Sequence, residues 1–342
     1  MVVLALVVEL DRQGNGKSNR ACGVRPHFRR PDGRVVCLSA PTVRQVRKTT
    51  ITKGSVLSET LTRLNDQDPI ETLVAGLKMQ PNAFQRTTKM LVQGETKYLS
   101  WDFSNAPFKT LDLIQITDVQ FGHICCKVER VKEYRDWVLA RPNRYMIWTG
   151  DNIDSAHMQS KGTTWENTGT PQRQLFEFCK MWAPARHRVL GVVGGNHERR
   201  ALTTFGDLGI TIAALLQLPY SRGKQLIDIY FGHHRPFRIS QWHGAGGART
   251  KGTVAQVLTR FASDGDSQLY LMGHLHQPMI IPFWKERRGK DSIKAVKTVA
   301  AMGSSFLENW GSYSEVAGYG PSDVLMPCCR LEKDGGWEVI LR

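Results

Sequence analysis

The sequence predicts an α/β domain whose strands end on one shared polar site. Two observations carry this. Five apolar runs read as buried strands: Leu113-Ile114-Gln115-Ile116, Tyr145-Met146-Ile147-Trp148, Val189-Leu190-Gly191-Val192-Val193, Ile239-Ser240-Gln241-Trp242 and Leu269-Tyr270-Leu271-Met272. Each is followed closely by a short signature: Asp118-Val119-Gln120, Gly150-Asp151-Asn152, Gly195-Asn196-His197-Glu198, His243-Gly244 and Gly273-His274-Leu275-His276. Groups at the exits of successive strands are brought by a sheet to one place. Together they offer seven oxygen and nitrogen donors for metal, with one histidine left over.

In this order the signatures resemble the calcineurin-like metallophosphoesterase superfamily, over roughly residues 111–315, with phage-encoded members the nearest likeness. The resemblance implies a four-layer fold, two packed mixed β-sheets flanked by helices, over residues 111–342. It also implies a dinuclear centre. One cation would be held by Asp118, Gln120, Asp151 and His276, the other by Asp151, Asn196, His243 and His274, with Asp151 as the bridge. Such a pair orients a hydroxide that attacks a phosphoester. Mixed oxygen and imidazole ligation suits Mn, Fe or Zn over Mg alone. Gln120 stands where most relatives carry His, and its weaker donor leans the choice toward manganese.

His197 takes no metal in this scheme and is placed to protonate the leaving oxygen. Asp154, three residues after the bridging carboxylate, has the spacing of an aspartate that pairs with such a histidine. His123, Arg199 and Arg200 are candidate substrate contacts, and the glycine-rich loop 244–252, with Arg249 and Lys251, is another approach to phosphate. Glu198 reads as a cap of the following helix. The segment 303–322 carries Phe306, Trp310, Tyr313 and Tyr319 among glycines, as a cleft wall or the cover of a sheet edge.

Ahead of this domain, residues 1–110 read as a small basic region. The opening ten residues are apolar but short, lack a basic flank and include Glu9, so they read as a strand and exclude a membrane span. Gly14-Asn15-Gly16-Lys17-Ser18 reads as a turn, since a phosphate-binding loop needs glycine at the position of Asp11 and a helix where Gly23 and Pro26 stand. Residues 19–54 read as a basic arm or a small strand-rich module. Ile70, Leu73, Val74 and Leu77 follow a helical period, then a turn, then Phe84, Thr87, Thr88 and Leu91 at similar spacing. The stretch 69–92 is therefore similar to a helix-turn-helix, with Asn82, Gln85, Arg86 and Lys89 as its DNA-facing side. Residues 94–109 read as a connection.

The 342-residue chain has 46 Lys and Arg against 31 Asp and Glu, a net charge of +15. That balance favours a polyanionic partner, nucleic acid first. Seven cysteines without C-x-x-C spacing point to a reduced, cytoplasmic compartment, the host's if the chain is phage-encoded. The expected activity is a nuclease or phosphodiesterase acting on nucleic acid. The alternatives are a phosphomonoesterase on phosphoprotein or nucleotides, and a DNA-binding regulator with an inactive phosphoesterase domain.

Overall fold

The computed structural model describes residues 28–29, 35–36, 86–92 and 95–342, apart from 159–163, 233–234 and 317. The chain divides into two units, residues 1–58 and 59–342. In the first, strands β1 (Phe28–Arg29) and β2 (Val35–Val36) pair antiparallel. The opening strand, the turn 14–18 and most of the basic arm lie outside the described residues.

The second unit is built on two sheets. Its strands are β3 (Arg86–Val92), β4 (Glu95–Asp102), β5 (Thr110–Ile116), β6 (Arg144–Trp148), β7 (Val189–Val193), β8 (Tyr220–Ser221) and β9 (Gln225–Tyr230). They continue as β10 (Phe237–Trp242), β11 (Leu269–Met272), β12 (Met279–Arg288), β13 (Ile293–Met302), β14 (Pro327–Glu332) and β15 (Trp337–Leu341). One sheet has the order β12-β13-β11-β10-β9-β4-β3, the other β15-β14-β5-β6-β7-β8. Both are mixed: β5, β6, β7 and β8 run parallel, as do β10, β11 and β13, while β14 runs against both its neighbours and β9 runs against β10 but parallel to β4.

Alternation of side chains assigns the layers. Leu111 and Leu113 of β5, Tyr145 and Ile147 of β6, and Leu269 and Leu271 of β11 face inward and form the core between the sheets. Ile114, Ile116, Met146 and Trp148 face outward and pack under helices Val128–Leu139, Pro171–Trp182 and Leu208–Leu216. Tyr270, Met272, Ala300 and Met302 face the other way, under helix Lys251–Ser263. Burial on both faces is why these strands read as continuous apolar runs. The one polar residue of the first run, Gln115, is buried and donates to Thr149 Oγ1 at 2.6 Å and Met272 O at 2.8 Å, stitching the two sheets together just below the strand exits.

Two expectations are corrected. Residues 86–92 form a strand, not the second helix of a helix-turn-helix, and Arg86 and Lys89 are opposite Trp101 and Leu99 of β4. The spacing of Thr87, Thr88 and Leu91 imitated a helix, but threonine and valine favour the pleated conformation once a partner strand is at hand. Asn82, Gln85 and the first proposed helix lie outside the described residues. Residues 95–102 are likewise a strand of the larger sheet, with Leu99 and Trp101 in the inter-sheet core, rather than a connection. The folded unit therefore takes in strands on the N-terminal side of residue 111.

Phe178 is fully buried in the outer core, its ring 5.4 Å from Trp148, 6.0 Å from Phe121 and 6.2 Å from Trp182. Phe178→Ala should lower stability by about 3–5 kcal/mol, read as a shift of the urea midpoint. A midpoint unchanged from wild type would show that this aromatic cluster does not hold helix 171–182 on the sheet.

Candidate metal centre

All five signatures open at the same end of the sandwich. Asp118 and Gln120 follow β5, Asp151 follows β6, Asn196 and His197 follow β7, His243 follows β10, and His274 and His276 follow β11. Five of the seven expected ligands, Asp118, Gln120, Asp151, His274 and His276, have φ between 47° and 73°. A left-handed backbone costs a non-glycine residue about 1–2 kcal/mol. Its repetition at these turns is strain concentrated at one site.

The turns are locked by hydrogen bonds that leave donor atoms facing one another. Asp118 accepts Thr117 Oγ1 at 2.6 Å and the backbone N–H of His274 at 2.9 Å, and lies 3.2 Å from His276 Nε2. Asp151 accepts the backbone N–H of His197 on Oδ1 at 2.8 Å and turns Oδ2 to His243 Nε2 at 3.2 Å. His243 Nε2 is also 3.0 Å from Asn196 Oδ1. Ligand atoms of Asp151, His243 and His274 lie within 4.8 Å of one another. With Asn196 they form the second expected ligand set. For the first set, the Gln120 amide is 3.4 Å from His276 Nε2. An amide flip exchanges its nitrogen and oxygen there, and the oxygen is the atom that binds a cation.

Backbone carbonyls orient the imidazoles. His243 Nδ1–H donates to Thr149 O at 2.7 Å and His274 Nε2–H to Gly246 O at 2.8 Å, which fixes each ring and makes its opposite nitrogen the one a cation would take, in place of any proton there. This donor chemistry fits divalent cations. Burial alone would raise the Asp118 carboxyl, but the charge and hydrogen bond of His276, then the charge of His243, hold it below the usual carboxylate range. For Asp151, burial is outweighed in the same way by His243 and His197, and the carboxyl is held well below that range. His243 is driven in the opposite sense. Burial would lower it, yet Asp151 and Asp118 push it up to about 10.

His197 is set apart from the ligands. Its Nδ1 lies 3.0 Å from Asp154 Oδ1, and its Nε2 faces the site, 3.4 Å from the Gln120 amide nitrogen and 3.7 Å from Asp151 Oδ2. Burial would raise the Asp154 carboxyl, but the hydrogen bond from His197 and the charges of His197 and Arg200 hold it below the usual range. Arg200 turns toward Asp154, 3.9 Å away, while Arg199 is exposed. His123 is buried beside this pair: its Nδ1 accepts the Cys125 N–H at 3.0 Å and its Nε2 lies 3.9 Å from Glu166. Burial lowers its pKa.

Two contributions escaped the sequence reading. Glu198 does more than cap its helix. Fully buried, it accepts the N–H groups of Gly195 at 3.1 Å, Asp151 at 3.2 Å and Asn152 at 2.5 Å, and Asn152 Nδ2 at 2.9 Å, clamping two signature turns to each other. Burial, then the charge of Asp151, raises its pKa. The capping-box spacing hinted only at the local half of this role. The turns meet so closely that a Cβ on Gly195 would stand 2.0 Å from Asp151 Oδ1, which fixes glycine there. Tyr319 stacks on His276 with ring centroids 4.9 Å apart, and the Arg249 guanidinium sits 4.0 Å from the centre of the Tyr319 ring. Elsewhere in segment 303–322, Phe306 is core and Trp310 is 66% exposed.

No protein-family model matches the chain, and none of the curated proteins does. Among solved structures it is similar to a conserved uncharacterized protein, a predicted phosphoesterase, from Streptococcus pneumoniae TIGR4, at 13% identity over 69% of this chain and 99% of that one, TM-score 0.30. It is also similar to Pseudomonas putida nuclease MPE, at 13% identity over 76% and 100%, TM-score 0.28. A third is Haemophilus influenzae NAD nucleotidase, at 11% identity over 68% of this chain and 49% of that one, TM-score 0.31. The two mixed sheets flanked by helices are the architecture expected of the metallophosphoesterase fold.

If Asp151 is shared by both expected ligand sets, Asp151→Asn should abolish binding of two equivalents of manganese, whereas Gln120→His should keep or raise it. Elemental analysis after dialysis checks this. Two metals still bound to Asp151→Asn would remove Asp151 from the bridging position.

Proposed function

We propose that the protein is a dinuclear metal-dependent phosphoesterase acting on nucleic acid. One observation carries the reading: seven donors from five strand exits converge, with a carboxylate-held histidine beside them that is not needed as a ligand. Bound divalent cations would supply Lewis-acid polarisation of the phosphoryl group and activate water at neutral pH. Asp118, Gln120, Asp151 and His276 would hold one, Asp151, Asn196, His243 and His274 the other, with manganese favoured by the weak Gln120 donor.

The chain's own residues divide the remaining work. Asp154 stays anionic and fixes the His197 ring through Nδ1, so that a proton on Nε2 points into the site. From there it passes to the leaving oxygen as the phosphoester bond breaks. The net charge of +15 supports a nucleic-acid substrate over a neutral or cationic one. All seven ligand positions carry donor residues, which speaks against an inactive regulator.

Metal-stripped full-length protein should regain hydrolysis of bis(p-nitrophenyl) phosphate and DNA on adding Mn²⁺. Release of phosphate from p-nitrophenyl phosphate without diester or DNA cleavage would make it a phosphomonoesterase, and inertness with Mn²⁺, Mg²⁺ and Zn²⁺ alike would leave the regulator.

His197→Ala should retain its metals while turnover of an alkyl phosphodiester falls by about 10²-fold or more. The loss should shrink for nitrophenyl esters, whose leaving group needs little protonation. Equal losses on good and poor leaving groups would contradict proton donation by His197.

A further inference from the structure

Strands β12 and β13 outrun the rest of their sheet. β13 pairs with β11 only over Val299–Met302, but with β12 along its whole length from Ile293 to Met302. The overhang is anchored at its base. Lys285 donates to the carbonyls of Ala262 and Gly265, and Lys297 lies 4.6 Å from the centre of the Trp337 ring. Beyond these anchors, residues 286–295 form a free two-stranded ribbon.

The ribbon carries Arg287, Arg288, Lys290 and Lys294, and among the described residues none of the four is in an ion pair. Arg287 and Lys294 are directly opposite each other across the strands. Like charges in that position destabilise a β pair. Glu286 and Asp291 lie in the same ribbon, and among the described residues neither forms an ion pair with the four cations. Lysine and proline on an outer strand discourage pairing with other sheets, which accounts for Pro282 and for cations on the edge strand β12. It does not account for Lys290 in the turn or Lys294 on the inner strand. Trp284 and Ile293, each 68% exposed, add apolar surface to the face that carries Arg288, opposite to that of Arg287 and Lys294.

We propose that ribbon 286–295 is a docking element for duplex DNA, entering the major groove while Arg287, Arg288, Lys290 and Lys294 neutralise phosphates on its walls. The groove, about 12 Å wide, admits a two-stranded β-ribbon. The major groove of duplex RNA is too deep and narrow for such entry. Met302 pairs with Met272, next to the ligand turn 273–276, whereas Ile293 lies at the far end of the same strand. At ~3.3 Å per residue the ribbon is roughly 30 Å from the metal centre. That is about one turn of duplex, so this contact is separate from the site of hydrolysis. The choice of DNA rests on the nucleic-acid reading of the metal centre, but docking is measured by binding and hydrolysis is not required.

The test compares wild type with the combined variant Arg287→Gln, Arg288→Gln, Lys290→Gln, Lys294→Gln as full-length chains. Fluorescence anisotropy in EDTA follows binding to a 20-base-pair DNA duplex and to an RNA duplex of the same sequence across a salt series. DNA affinity should fall at least tenfold near 0.1 M salt, and the slope of log K against log salt should lessen by about 3.6. RNA affinity should change far less. Lys290→Gln alone, in the exposed turn, should lessen the slope by about 1. With manganese, turnover of bis(p-nitrophenyl) phosphate should match wild type in both variants, which also certifies the fold. An unchanged DNA affinity and slope would overturn the proposal, as would an equal loss on duplex RNA. Wild-type failure to hydrolyse the small diester would instead count against the metal-centre reading alone.

Discussion

The whole arrangement depends on keeping several carboxylates and imidazoles buried within about a hydrogen bond's length of one another. Asp118, Asp151 and Glu198 are at most 1% exposed, and each would be costly to bury alone. Their burial is tolerated because every one accepts backbone N–H groups and because Asp118 and Asp151 face imidazole rings. Such a cluster cannot be assembled from one segment. It needs strand exits from two sheets held at fixed separation, and the inter-sheet core with the Gln115 bridge provides that. The left-handed turns at five ligands are the local expression of the same constraint: the backbone bends where the donor atoms must point, and the sandwich beneath holds it there.

Much of this was legible in the sequence because the residues that matter are punctuated. Strands buried on both faces read as unbroken apolar runs, and each ends in a signature rich in Asp, Asn, His and Gly. The structure places the five runs in β5, β6, β7, β10 and β11. What escaped depends on partners distant in the chain. The period of Thr87, Thr88 and Leu91 suits a helix when read locally, and only the neighbouring strand β4 turns it into β3. Glu198 looked like a helix cap because its nearest contact is local, while its contacts to Asp151 and Asn152 cross 46 or 47 residues. Tyr319 sits in a glycine-rich segment with no periodicity, so no pattern could announce its stacking on His276.

Charged groups are arranged differently at the strand exits and on ribbon 286–295. At the strand exits, each carboxylate faces an imidazole or a guanidinium: Asp154 faces His197 and Arg200, Asp151 faces His243, and Asp118 faces His276. Such pairing orients protons and cations within the centre. On ribbon 286–295, by contrast, four cations outnumber two carboxylates, and among the described residues none of the four is in an ion pair. Under the docking proposal, such a centre with a remote basic ribbon would let a duplex be held by a surface that takes no part in bond breaking.

Electron paramagnetic resonance of the full-length protein titrated with manganese tests the central claim most directly. Two ligand sets that share Asp151 predict that the second equivalent of Mn²⁺ converts the spectrum to that of a spin-coupled pair. A spectrum that saturates as isolated Mn²⁺ at one equivalent, or that never departs from free aqueous Mn²⁺, would contradict a dinuclear centre in this fold.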